Sequence, residues 1–155
     1  MAGPIGSEAL IPNAAMKRFE PLIGEWHVTG THPFVPETTL HGRASFAWQD
    51  GGAFLVMRTE IDEPNFPSGI AYFGSDDAAG TFSMLYFDER GISRKYEVTV
   101  EGNTFTWSRD DPQLSQTNTV TVQSGGKRMV GKGRMSQGGG DWQDDLSLTY
   151  ERVAD

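Results

Sequence analysis

Ser93-Arg94-Lys95-Tyr96-Glu97-Val98-Thr99-Val100-Glu101-Gly102-Asn103-Thr104-Phe105-Thr106-Trp107-Ser108-Arg109 changes character at every second residue. Ser93, Lys95, Glu97 and Thr99 are polar, whereas Tyr96, Val98 and Val100 are apolar and share their side with Arg94. Successive side chains of a strand point to opposite faces, so this is a strand with one wet and one covered face. Glu101-Gly102-Asn103 has the chemistry of a tight joint. Past it, Phe105, Trp107 and Arg109 align as the covered face of a second strand.

The same rhythm runs through most of the chain. Strands are predicted near 24–32, 40–48, 53–62, 68–75, 80–88, 92–100, 103–109, 115–122, 127–136 and 142–152, rich in Val, Thr, Phe, Tyr and Trp. The joints are short and carry Gly, Asp and Asn, as in Asp50-Gly51-Gly52, Asp88-Glu89-Arg90-Gly91 and Gly138-Gly139-Gly140. No helical pattern of crossover length interrupts them, which excludes a parallel α/β sheet. A meander of about ten strands closes into a barrel because closure removes exposed edges. Ahead of it, Asn13 can cap a short helix that carries Met16, Phe19 and Ile23 on one side and ends or bends at Pro21. The expectation is an all-β, up-and-down antiparallel barrel with a short N-terminal capping helix. One domain spans 13–155, and 1–12 reads as a loose tail.

Alternation also assigns the interior. Trp26, Val28, Gly30 and His32 share a side in the first strand, and Trp142, Asp144, Leu146, Leu148, Tyr150 and Arg152 share one in the last. Polar residues therefore fall on inward faces: Arg94, Tyr96, Asp144, Arg109, Gln116 and Asn118. A lone guanidinium in a dry core costs several kcal/mol, so these groups call for partners or a wet cavity. Arg94 with Asp144 is a candidate pair across the lumen. Tyr86, Tyr96, Trp107 and Trp142 would form walls, and His32 would stand nearer the open end. Trp48, Met57, Tyr72, Met84 and Met135 add apolar surface at inward or rim positions, and flexible Met beside aromatics suits a flat guest.

Composition removes other chemistries. The net charge is −8, and no basic face gathers from Lys17–Arg18, Arg94–Lys95 or Lys127–Arg128, so nucleic acid and anionic membranes are not expected partners. No apolar run reaches the roughly 20 residues of a membrane-spanning helix. Met1–Leu10 lacks the basic start and long apolar stretch of a secretory leader. The absence of cysteine removes thiolate chemistry and fits a reducing cytoplasm. His27 and His32 face opposite sides of one strand, so no metal site or other cofactor is expected. There is no G-x-S-x-G elbow and no phosphate loop ahead of a helix.

Gly24-Glu25-Trp26, preceded by a short helix and Leu22-Ile23, resembles the start of the first strand in the calycin superfamily of lipocalins, fatty-acid-binding proteins and nitrobindin-like barrels. In that family the Trp plugs the closed end and an Arg of a late strand covers it, a role the resemblance gives to Arg152. The segment Met84–Gly91 and the strand count look most like a bacterial branch of these barrels. The resemblance covers roughly 13–153. Nitrobindin-like barrels hold haem through a histidine near the C-terminus. Here the histidines are His27, His32 and His41, so haem binding does not carry over. With no cysteine the disulfides of secreted lipocalins do not carry over, and a leader like theirs is not expected from Met1–Leu10.

The functional expectation is a barrel that binds a small hydrophobic or aromatic molecule with a polar handle, with Arg94 as anchor. One alternative is an enzyme (isomerase, cyclase or hydrolase) that uses His32, Tyr96, Arg94 and Asp144 for acid–base steps. The other is a protein-interaction module with its core packed shut. A barrel edge or mouth could form a homodimer, though no apolar patch stands out in the sequence.

Overall fold

The computed structural model describes residues 13–76, 79–123 and 125–154, so the segment 1–12 lies outside the described residues. Ten antiparallel strands form a closed barrel: β1 (Gly24–Thr31), β2 (Leu40–Gln49), β3 (Phe54–Ile61), β4 (Gly69–Asp76), β5 (Thr81–Asp88), β6 (Ser93–Glu101), β7 (Thr104–Arg109), β8 (Leu114–Val122), β9 (Arg128–Gln137) and β10 (Gln143–Arg152). Each strand pairs with the next, and β10 returns to β1 with Trp26 opposite Arg152. Period-two burial along β6 and β9 puts Val98, Val100 and Met129 inside and Lys95, Glu97 and Lys132 in water.

One end is sealed by a helix at Ala14–Leu22. It is a 3-10 helix, so its covered side repeats every three residues and consists of Met16, Phe19 and Leu22. Ile23, expected on that side from α-helical spacing, instead follows the helix at its end. Asn13 caps the start by accepting a hydrogen bond from the Ala15 amide at 3.0 Å. Phe19 is fully buried, edge-on to Phe82 at 5.0 Å between ring centres and 5.8 Å from Phe105.

The Trp26 indole N–H donates to the Leu22 carbonyl at 2.9 Å, and the Arg152 guanidinium lies 4.2 Å from the Trp26 ring centre. Arg152 also donates to the carbonyls of Ile23, Pro21 and Gly126, and so ties the helix exit to the barrel. Gly24 has φ +135°, and a methyl there would stand 2.4 Å from an Arg152 guanidinium nitrogen. The Gly of Gly24-Glu25-Trp26 is required by that φ, which L side chains rarely adopt.

The opposite end is the mouth, ringed by the loops that join β1 to β2, β3 to β4, β5 to β6, β7 to β8 and β9 to β10. The outer wall does carry an apolar patch, contrary to the sequence reading. Register sets Val56 beside Tyr72, Tyr72 beside Leu85 and Ile70 beside Phe87, with Phe54 6.1 Å from Tyr72. These residues are scattered along the chain and become neighbours only through strand pairing. Tyr72 therefore points outward, not into the lumen.

Candidate functional site

Above the helix plug the barrel is hollow, with a lumen of about 670 Å³. Its apolar wall includes Val28, Met57, Met84, Trp107, Met135 and Leu148. Arg94, Tyr96, Tyr86, Trp107 and His32 all line it, as alternation along unbroken strands places them. Gln116 and Asn118 line it too.

Two expected residues do not. Asp144 is exposed and lies 3.5 Å from the Arg134 guanidinium on the outer face, so the pair with Arg94 does not form. Trp142 is 46% exposed outside the barrel. The cause is a bulge in β10. Asp144 pairs with Arg134 and Ser147 with Lys132, so Asp145 and Leu146 together oppose the single residue Gly133. The extra residue reverses the alternation, and Asp145 turns inward where Asp144 was expected. Gly30 of β1 lets the β10 backbone approach closely: a methyl there would lie 2.2 Å from the Ser147 carbonyl oxygen.

Asp145 accepts a hydrogen bond from His32 Nε2 at 2.8 Å. His32 Nδ1 accepts from the Phe34 amide at 3.0 Å, which fixes the tautomer with its proton on Nε2. Phe34, tilted, and Phe66, edge-on, pack around the imidazole at 4.7 and 5.5 Å between ring centres. His32 is buried, at 7% exposure, and both its nitrogens are engaged. It braces the mouth and has no lone pair free to act as a base on a guest.

On the wall, the Tyr96 hydroxyl donates to Gln116 Oε1 at 2.7 Å, and Arg94 reaches the same oxygen at 3.5 Å. Among the described residues Arg94 has no carboxylate within ion-pair distance. The Tyr86 hydroxyl donates to Asp88 at 2.7 Å, and Asp88 also receives Arg90 at 2.7 Å. The Arg90 guanidinium, ahead of the Tyr86 hydroxyl, holds the Asp88 carboxyl down at about 2.

Burial raises the wall phenols. Tyr150 is pushed up to about 12, Tyr86 is raised further with help from the Asp88 carboxylate, and Tyr96 is raised against the opposing pull of Arg94. All three keep their protons at neutral pH. Tyr150 is 4% exposed, lines the lumen, and makes no hydrogen bond through its hydroxyl to any described residue. The sequence reading put Tyr150 on the inward face but did not single it out. The wall thus offers donors, from Arg94 and the Tyr150 hydroxyl, to a guest carrying acceptor atoms.

A second space adjoins the first. It measures about 840 Å³, lies between Ser93–Glu97 of β6 and Ser108 and Arg109 of β7, Asp110 and Asp111 of the following loop and Ser115–Thr117 of β8, and has Trp142 at its edge. It shares Arg94, Tyr96 and Gln116 with the lumen.

No protein-family model and no curated protein matches this sequence. Solved structures share its architecture, among them the following two. Rv2717c from M. tuberculosis aligns with a TM-score of 0.66 at 16% identity, over 91% of this chain and 98% of that one. The S-type phycobiliprotein lyase CpeS from Guillardia theta aligns with a TM-score of 0.59 at 12% identity, over 97% of this chain and 95% of that one. At these identities the likeness is one of fold.

Proposed function

We propose that the barrel binds a small, mainly apolar or aromatic molecule in its lumen, with an anionic or hydrogen-bond-accepting handle held by Arg94. This reading sets the chain among the lipocalin, fatty-acid-binding and nitrobindin-like barrels of the calycin superfamily. One observation carries it: among the described residues, the Arg94 guanidinium stands in a hollow interior with only the Gln116 amide oxygen for company. A half-buried cation facing an apolar lumen without a counterion is poorly compensated, and a guest's carboxylate, sulfonate or carbonyl would supply what is missing. The volume of about 670 Å³ falls within the usual range of small-molecule sites, roughly 300–1,000 Å³. Methionine and aromatic walls supply adaptable apolar contact.

Binding is favoured over acid–base catalysis because the histidine best placed for proton transfer is bonded at both nitrogens. An open lumen disfavours the module with a shut core. The lyase name of one structural neighbour belongs to that protein and assigns no reaction here.

Fluorescence titration with anilinonaphthalene sulfonate, an aromatic anion, tests the reading. Arg94→Ala should weaken binding by about tenfold or more, since hydrogen bonds to charged groups contribute roughly 1.5–3 kcal/mol. The far-ultraviolet circular dichroism should stay unchanged. Equal affinity in parent and variant would remove Arg94 as anchor, and no binding by the parent would remove the reading itself.

A further inference from the structure

The wall of the barrel is incomplete at one place. β6 begins at Ser93, but its ladder with β7 runs only from Glu97 opposite Ser108 to Glu101 opposite Thr104. Continued register would set Tyr96 against Arg109 and Lys95 against Asp110, and neither pair forms. Arg109 instead pairs only to β8, opposite Gln116. The first four residues of β6 therefore have no strand partner on that side.

The lining of the adjoining space shows what this gap does. Its walls include Arg94 and Tyr96 from the inner face of β6 and Ser93, Lys95 and Glu97 from the outer face. Residues from both faces of one strand can line a single space only if that space wraps around the strand's free edge. The gap is thus a slot through the wall, and it meets the lumen at Arg94, Tyr96 and Gln116. One side chain spans it: Gln116 of β8, whose amide oxygen receives Tyr96 and Arg94 of β6. These bonds stand where the β6–β7 ladder is missing.

The mouth, by contrast, is braced on its β1 and β10 side. His32 bonds Asp145, and Phe34 and Phe66 pack over the imidazole.

We propose that guests enter and leave the lumen sideways, through the slot between β6 and β7, with Gln116 as its latch. The proposal rests on the binding function above. A guest's handle would displace Gln116 from Arg94 as it passes, so the anchor and the latch share one switch of partners. The Arg94 contact is already long, at 3.5 Å, so the Tyr96 bond at 2.7 Å is the short one the latch must release.

The chain has no cysteine, so an introduced one can be labelled cleanly. Lys95→Cys, at the outer rim of the slot, and Glu37→Cys, on the exposed loop at the mouth, would each be coupled to a polyethylene glycol maleimide. Stopped-flow fluorescence would then follow anilinonaphthalene sulfonate entering and leaving. The label at position 95 should slow association and dissociation together by about tenfold, with the dissociation constant changing far less, as blocking a route must do. The label at 37 should leave both rates within about twofold of the parent. Gln116→Ala should speed both. Slowing by the label at 37 and not by the label at 95 would overturn the side route while leaving lumen binding intact. Failure of the parent protein to bind the probe would overturn both, and the unlabelled titration reads that separately.

Discussion

With both nitrogens of His32 bonded and its ring covered, Asp145 acts as a brace for the mouth. Asp145→Ala leaves the Nε2–H buried without an acceptor, which costs about 1–3 kcal/mol. Chemical denaturation should show that loss, and Asp144→Ala, on the outer face, should show less than about 0.5 kcal/mol. Asp88 gives a pH signature. Its folded carboxyl titrates at about 2, below its ordinary value of 3.8, because Arg90 and Tyr86 donate to it. A lowered folded value stabilises the protein fully above the ordinary carboxylate range, and the contribution fades as pH falls from about 4 to about 2. Arg90 is half-exposed, which screens the pair, so Asp88→Asn should cost about 1 kcal/mol at neutral pH. The gap in urea midpoint between parent and variant should narrow from about pH 4 and close below about pH 2. A gap that persists there would assign the loss to packing. At this scale the sequence was legible where a strand is regular. Arg94 and Tyr96 lie on an unbroken β6, and two-residue counting put them on the right side. Counting failed for Asp144 because one extra residue reverses every face beyond it, and that residue is visible only in the pairing with β9.

Two elements decide the ends of the barrel. The floor was legible as a motif: a helix, then Gly24-Glu25-Trp26, then a late Arg. Its energetics rest on Arg152, which serves three carbonyls and the Trp26 face at once. Arg152→Ala should destabilise the protein by about 3 kcal/mol, and Arg152→Lys should recover little, since one ammonium cannot cover the ring and the carbonyls together. A thermal melt that moved by less than about 2 °C would show that the helix holds the floor without it. The helix type was not legible. Met16, Phe19 and Leu22 fit a three-residue repeat, and Met16, Phe19 and Ile23 fit an α-helical one equally well. Packing on Phe82 and Phe105 decides between them. The slot beside β6 was not legible either, because a strand that stops pairing early keeps its alternation.

For the whole molecule, the fold followed from repetition. Strand after strand with a two-residue rhythm and short polar joints has few outcomes other than a closed meander. The hollow inside was inferred from polar residues on inward faces, and it sits between the helix plug and the braced mouth. The chain's methionines mark its depth. Met57, Met84 and Met135 line the lumen, whereas Met16 and Met129 are buried outside that lining. The direct test is a methyl spectrum of protein labelled at methionine, recorded during titration with anilinonaphthalene sulfonate. Shifts at Met57, Met84 and Met135, with Met16 and Met129 nearly still, are the expected result. A probe that binds while those three signals stay fixed would place it on the outer patch of Tyr72, Leu85 and Phe87, and would contradict a ligand-binding lumen.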